Sequence, residues 1–119
     1  MTITFYTYPK CSTCRKAKKW LEQHGKTLNE VHLVEETPSA DTLRDVWQLA
    51  GVPLKRLFNT SGKVYREMKL KDELPTMSEE EQLELLASNG MLIKRPIATD
   101  GTYVTIGFKE ETYEDVWNA

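Results

Sequence analysis

The sequence predicts an α/β fold in which a β-α-β unit and a β-β-α unit flank a block of helices. Two runs rich in β-branched and aromatic residues, at 2–8 and 28–34, enclose a helical pattern and indicate the first unit. Two short apolar runs around Asp100-Gly101, followed by an amphipathic tail, indicate the second. We therefore expect strands near both ends of the chain and helices between them.

The first helix is predicted to follow the first strand and to begin at a Cys-x-x-Cys motif. One helical face carries residues at i, i+3, i+4 and i+7, which are Ala17, Trp20, Leu21 and His24. Gly25 follows as a natural stop. A strand–helix–strand unit of this length predicts a right-handed crossover between two parallel strands.

The block between the second and third strands is predicted to contain two capped helices. Pro38-Ser39 starts the first of them, and Gly51 ends it. Ser78 and Glu81 match a capping box, which starts the second, and we expect Gly90 to close it. The block spans about residues 37–90.

The carboxyl-terminal unit is predicted from its turn and its tail. Asp100-Gly101 lies between runs at 97–99 and 102–106, which predicts a two-residue hairpin. Tyr113, Val116 and Trp117 lie on one face of a closing helix that begins near Glu110. The complete order is that of a thioredoxin-like fold with a helical insertion.

Length and composition limit the class of protein. The 119 residues fit one domain, 1–119. A formal net charge of −2 gives no basic footprint for nucleic acid, and no apolar run approaches the length of a membrane span. Both cysteines lie in one C-x-x-C motif, and the amino terminus lacks a signal-peptide core. We expect a cytoplasmic monomer that contacts neither nucleic acid directly nor a membrane.

The C-x-x-C motif is the candidate site, because a strand, this motif and a helix together are typical of thiol–disulfide redox chemistry. A helix start favours a thiolate, so we predict that Cys11 is the nucleophile and has a lowered pKa. Cys14, one turn later, is the predicted resolving thiol of a redox disulfide. Five nearby cations add positive charge: Lys10, Arg15, Lys16, Lys18 and Lys19.

Two simpler interpretations of the cysteines stay open at this point. A zinc half-site needs two further ligands, and the two histidines, His24 and His32, lack a paired metal spacing. The pair is also compatible with a structural disulfide or with two inert thiols, although cytosolic proteins rarely keep permanent disulfides.

The chain resembles the arsenate reductase (ArsC) family, which includes the Spx-type transcription regulators. Two segments carry the resemblance most clearly, Pro9-Lys10-Cys11-Ser12-Thr13-Cys14-Arg15-Lys16-Ala17 and Lys94-Arg95-Pro96-Ile97. The likeness continues through residues 58–62, 88–96 and 106–108. It is closest to a C-x-x-C branch of the family that is related to the Spx-type proteins.

The resemblance implies further site residues. It places a cis proline at Pro96, packed against the C-x-x-C, and Arg95 near Cys11 as a catalytic residue. A guanidinium at that place suits an oxyanion or a thiolate. Arg15, Arg95 and Pro96 are the predicted substrate-binding residues, and no metal ligand is predicted.

The resemblance also implies two functions. The first is a thiol-dependent oxidoreductase with no bound cofactor, which receives electrons from glutathione, glutaredoxin or a thioredoxin-type donor. The alternative is a Spx-like redox-sensing regulator that binds RNA polymerase. The family's reductases supply three arginines for arsenate, and here Arg95 aligns with one of them while Asn59 and Phe108 occupy the other two positions. We therefore expect poor arsenate reduction.

Overall fold

The computed structural model of the protein describes residues 2–118, and it contains one sheet with helices on both faces. The strands are β1 Thr2–Thr7, β2 Thr27–His32, β3 Ile97–Thr99 and β4 Val104–Ile106. The helices are α1 Ser12–Gln23, α2 Ala40–Ala50, α3 Lys63–Glu67, α4 Leu70–Glu73, α5 Glu79–Ser88 and α6 Glu110–Trp117. Single 3₁₀ turns lie at Leu54–Leu57, Leu74–Thr76 and Gly90–Leu92.

The sheet has the strand order β2-β1-β3-β4. β1 and β2 are parallel, with register from Thr2 opposite Thr27 to Thr7 opposite His32. β3 pairs antiparallel with both β1 and β4. The predicted thioredoxin-like α/β class is therefore confirmed, including the parallel pairing around α1.

The two faces of the sheet are covered by different helices. Successive strand residues point to opposite faces, so neighbouring residues of one strand belong to different cores. Phe5, Ala98 and Tyr113 belong to a core that joins the sheet to α1 and α6. Leu33 and Ile97 belong to a larger core, which the helices of the central block complete. Among the described residues, no helix is both long and apolar enough to cross a membrane.

Predicted caps define several helix ends. The Ser39 side chain accepts a hydrogen bond from the Thr42 N–H, and Gly51 ends α2 in the left-handed conformation. Ser78 and Glu81 form the predicted capping box at the start of α5. These side chains satisfy backbone donors that a helix start leaves without partners.

The prediction that Gly90 closes a helix is wrong. α5 ends at Ser88, Asn89 is extended, and Gly90 is a buried residue that begins a 3₁₀ turn. A Cβ atom on Gly90 would lie 2.0 Å from the Leu33 carbonyl oxygen and 3.0 Å from the Val34 Cα. Glycine is needed here because two backbone segments approach closely, rather than because a helix ends.

Two strands stop short of their predicted ends at the neighbouring turns. The run at 28–34 was expected to continue to Val34, and the run at 102–106 was expected to begin at Thr102. β2 ends at His32, whose Nδ1 accepts hydrogen bonds from the Val34 and Glu35 N–H groups and so turns the chain away from the sheet. The hairpin loop runs over residues 100–103 because Thr99 pairs with Val104.

This four-residue loop replaces the predicted two-residue hairpin. The Asp100 carboxylate accepts hydrogen bonds from the Thr102 and Tyr103 N–H groups, each at 2.8 Å. These bonds satisfy backbone donors that the predicted longer strand would have used in the ladder.

Candidate redox site

The two cysteines lie where β1 leads into α1. Cys11 is the N-cap residue of α1, and its Sγ accepts a hydrogen bond from the Cys14 N–H at 3.3 Å. The Cys11 N–H donates to the Tyr8 carbonyl at 3.0 Å, which fixes the turn. Cys11 is half-buried, Cys14 is buried, and both are free thiols. The C-x-x-C motif therefore combines one partly exposed sulfur with one buried sulfur.

The two thiols have pKa values shifted in opposite directions. Burial raises the pKa of Cys11, but hydrogen bonds from the Cys14 thiol and N–H and the positive charge of Arg95 outweigh it, so the net pKa lies below its ordinary value. Burial, together with the hydrogen bond to Cys11, raises the pKa of Cys14 to about 11. Cys11 is thus the sulfur that ionises first.

The cation that lowers the pKa of Cys11 is Arg95, not the five cations between residues 10 and 19 that the sequence suggested. Arg15 donates to the Pro9 carbonyl at 2.8 Å, and Lys18 forms an ion pair with Glu30 at 3.1 Å. Arg15 and Lys18 thus interact with exposed partners. Neighbouring residues on a helix point in different directions, so a run of cations on α1 does not converge on one atom. Substrate binding by Arg15 stays a prediction.

Arg95 precedes a cis peptide bond to Pro96, as the family resemblance implied. Its guanidinium carbon lies 5.1 Å from the centre of the Tyr8 ring, in cation–π geometry. Its Nη1 makes a long contact of 3.5 Å with the Met91 carbonyl. Its Nε is buried and has no hydrogen-bond partner in the part of the chain that the structure describes. Pro96 is buried, and its carbonyl accepts from the Gly107 N–H at 2.8 Å.

Tyr8 flanks the cysteines in the sequence, which assigned it no role, and the structure makes it part of this site. One ring face carries Arg95, and the His32 ring meets Tyr8 edge-on with centroids 5.8 Å apart. Because β1 and β2 are parallel and adjacent, the residues just after Thr7 and at the end of β2 meet at one edge of the sheet. The predicted parallel pairing of these two strands was therefore the sequence feature from which the contact between Tyr8 and His32 could have been found.

A cleft of about 1110 Å³ opens beside Cys11. Its polar lining includes the turn at residues 59–62, and its apolar lining includes Phe58 and Tyr113. Asn59, Arg95 and Phe108, the three positions that the family resemblance matched to the reductases' arginines, all line this cleft. Its charged lining is entirely basic and consists of Lys55, Arg56, Lys94, Arg95 and Lys109.

The zinc interpretation finds no support in the residues around the cysteines. Within residues 2–118, no group of three or more His, Cys, Asp and Glu side chains is arranged to hold a metal ion. His24 stacks on Trp20, with ring centroids 3.7 Å apart, and His32 is engaged by backbone N–H groups.

The sheet order, the cis proline and the cysteine pair at the start of α1 define a thioredoxin-like protein with a C-x-x-C site. The model of the ArsC family matches residues 6–116, and the chain belongs to that family.

Relatives within this family include both uncharacterised proteins and regulators. The chain is 61% identical to Uncharacterized protein YusI of Bacillus subtilis (strain 168) over 98% of this chain and 99% of the relative. It is 36% identical to Regulatory protein MgsR of the same organism over 89% of this chain and 82% of the relative.

Solved structures agree with the fold. A crystal structure of an ArsC family related protein from Bacteroides fragilis matches with a TM-score of 0.92 and 47% identity, covering 97% of each chain. A crystal structure described as that of a possible arsenate reductase from Streptococcus mutans UA159 matches with a TM-score of 0.88 and 43% identity, covering 96% of each chain.

Proposed function

We propose that the protein is a thiol–disulfide oxidoreductase in which Cys11 is the nucleophile and Cys14 is the resolving thiol. The observation that carries this proposal is the geometry at the start of α1, where the half-buried Cys11 sulfur accepts a hydrogen bond from the Cys14 N–H at 3.3 Å and the Cys14 thiol is buried. The same surroundings lower the pKa of Cys11 and raise that of Cys14. Exchange needs one sulfur that ionises near neutral pH and a second one within reach. Membership of the ArsC family supports the same chemistry.

The reaction proceeds in two displacements. The Cys11 thiolate attacks one sulfur of a substrate disulfide, forms a mixed disulfide and releases the first substrate thiolate. Cys14 then loses its proton to solvent and attacks the Cys11 sulfur, which closes the Cys11–Cys14 disulfide and releases the second substrate thiolate. Two electrons pass from the cysteine pair to the substrate. A thiol donor such as glutathione, glutaredoxin or a thioredoxin-type protein returns them, and no bound cofactor is required.

A trapping experiment with 2-hydroxyethyl disulfide tests these roles. We expect the wild-type protein to end as an internal disulfide with no retained adduct, and Cys14→Ser to retain one mercaptoethanol group on Cys11, as measured by intact mass. Cys11→Ser is the matched control and should form adduct slowly, because its remaining thiol is buried and has a raised pKa. Equal release of both thiols by Cys14→Ser and wild type would overturn the resolving role.

A second candidate is a redox-switched regulator, which the similarity to Regulatory protein MgsR favours. In this function, oxidation of Cys11 and Cys14 would change the affinity for RNA polymerase rather than process a substrate. Asn59, where Spx-type proteins align an arginine, argues against it. Retention on immobilised RNA polymerase, compared between oxidised and reduced protein, separates the two functions. Oxidation-dependent retention supports the regulator, and absence of retention in both states removes it.

A further inference from the structure

Apart from Cys11 itself, the charged side chains that line the cleft are of one sign only. Among residues 2–118, five cationic residues contribute to its wall, and no Asp or Glu does. We call this the cationic cleft. None of its five cations forms an ion pair with another residue within 2–118. Cations elsewhere do find carboxylates, as in the pairs Lys18–Glu30 and Lys63–Glu67.

This local charge is opposite to the charge of the chain, which is −2 overall. Acidic residues are therefore available in the molecule but lie outside the cleft. A concave surface lined by one sign of charge concentrates ligands of the opposite sign and raises their association rates. The cleft thus favours anions although the whole protein does not.

The cations are spread along the cleft on separate segments of the chain. Lys55 and Arg56 come from a 3₁₀ turn after α2, Lys94 and Arg95 precede β3, and Lys109 follows β4. This distribution suits a ligand whose charges lie several bonds from its reacting atom. A compact inorganic anion bound at Cys11 would leave most of the wall unused.

We propose that the cationic cleft selects low-molecular-weight disulfides and thiols that carry carboxylates. This inference rests on the proposed function, because the ligand's sulfur must meet Cys11. The Cys11 thiolate attacks the ligand disulfide as described above, while carboxylates on the ligand interact with the cleft cations. A volume of about 1110 Å³ is of the size that accommodates small molecules.

Three symmetric disulfides of different charge test the proposal with wild-type protein. Dithiodipropionate carries two carboxylates, 2-hydroxyethyl disulfide is neutral, and cystamine carries two ammonium groups. The measurement is the second-order rate constant for loss of the protein thiols. Each constant is divided by that of the same disulfide with dithiothreitol, which removes differences in intrinsic reactivity. We expect the normalised rate of the dianion to exceed that of the dication by about tenfold or more at low salt, and the ratio to fall as salt is added.

Matched double variants show whether the cleft is responsible. Lys55→Gln with Arg56→Gln removes two charges from the cleft wall, and Lys19→Gln with Lys71→Gln removes two exposed charges outside it. We expect the first pair to lower the selectivity ratio by about threefold or more, and the second pair to leave it unchanged. Circular dichroism establishes that both variants are folded.

The outcomes separate this inference from the proposed function. If none of the three disulfides oxidises Cys11, the proposed function fails and the inference fails with it. If all three react but the dianion has no advantage over the dication, the inference is overturned and the proposed function stands. If both double variants lower the ratio equally, net charge rather than the cationic cleft is responsible, and the inference is again overturned.

Discussion

Replacing Gly90 by alanine tests the close approach of two backbone segments behind the site. The added Cβ would lie 2.0 Å from the Leu33 carbonyl oxygen, 2.6 Å from the Leu33 carbonyl carbon and 3.0 Å from the Val34 Cα. All three are backbone atoms, so no side-chain rotation relieves the contact. The segments must separate, and Leu33, which is fully buried, must lose packing.

The expected loss follows from these contacts. Forcing extra atoms into a packed interior costs about 1–3 kcal/mol, and more when backbone has to move. Gly90 does not have a positive φ, so alanine itself is not strained there. Restricting the unfolded chain would, on its own, stabilise the variant by about 0.4–1 kcal/mol. We expect the steric cost to dominate and the free energy of unfolding to fall by about 3 kcal/mol.

Urea unfolding followed by tryptophan fluorescence measures this change. Gly25→Ala is the matched control, because Gly25 has a φ of 74° and, among the described residues, no atom lies within 4 Å of the added Cβ. It should lose only the cost of the left-handed conformation, about 1–2 kcal/mol. If Gly90→Ala is as stable as the wild type, or more stable than Gly25→Ala, the steric explanation for Gly90 is refuted.

Three further predictions concern the site. Arg95→Gln should raise the pKa of Cys11, so that thiolate absorbance and exchange rate both rise at higher pH than in the wild type, while Arg95→Lys should restore part of the shift. An unchanged titration in Arg95→Gln would remove the guanidinium as a cause. Tyr8→Leu should raise the pKa of Cys11, because the ring no longer holds the Arg95 guanidinium in place. Tyr8→Phe keeps the cation–π contact, so Cys11 should titrate as in the wild type. Equal titrations of Cys11 in the two variants would count against a role of Tyr8 in positioning Arg95. Arsenate should be a poor substrate, because Asn59 and Phe108 replace two guanidinium groups worth about 1.5–3 kcal/mol each, a loss of about a hundredfold or more in binding. The measurement is steady-state turnover with arsenate, glutathione and glutaredoxin. A rate equal to that of a family member with all three arginines would contradict the prediction.

Local patterns predicted the parts of the fold that depend on neighbouring residues. The spacing of Ala17, Trp20 and Leu21 predicted α1, and all three side chains are buried. The capping box at Ser78 and Glu81 was confirmed for the same reason, since both partners lie within one helical turn. The position of Cys11 at the start of α1 also follows from local sequence.

Contacts between distant segments could not be predicted in this way. Gly90 has the local sequence of a helix stop, and its true constraint, the backbone at Leu33, lies far away along the chain. The effective cation at Cys11 comes from Arg95, which only the family resemblance placed there. The basic residues Lys55 and Arg56 carried no sequence signal, because the cleft that they line exists only once α2, β3 and β4 have packed.

The hydrogen bond from the Cys14 N–H to the Cys11 sulfur also affects redox equilibrium. A thiolate accepts this bond as an anion, whereas a sulfur in a disulfide is a neutral and much weaker acceptor. Any interaction that favours the thiolate therefore stabilises the dithiol form relative to the Cys11–Cys14 disulfide, and it moves the reduction potential of the pair to less negative values. The features that make Cys11 reactive thus also make its oxidised form easier to reduce, so reactivity and recovery of the reduced protein are thermodynamically linked.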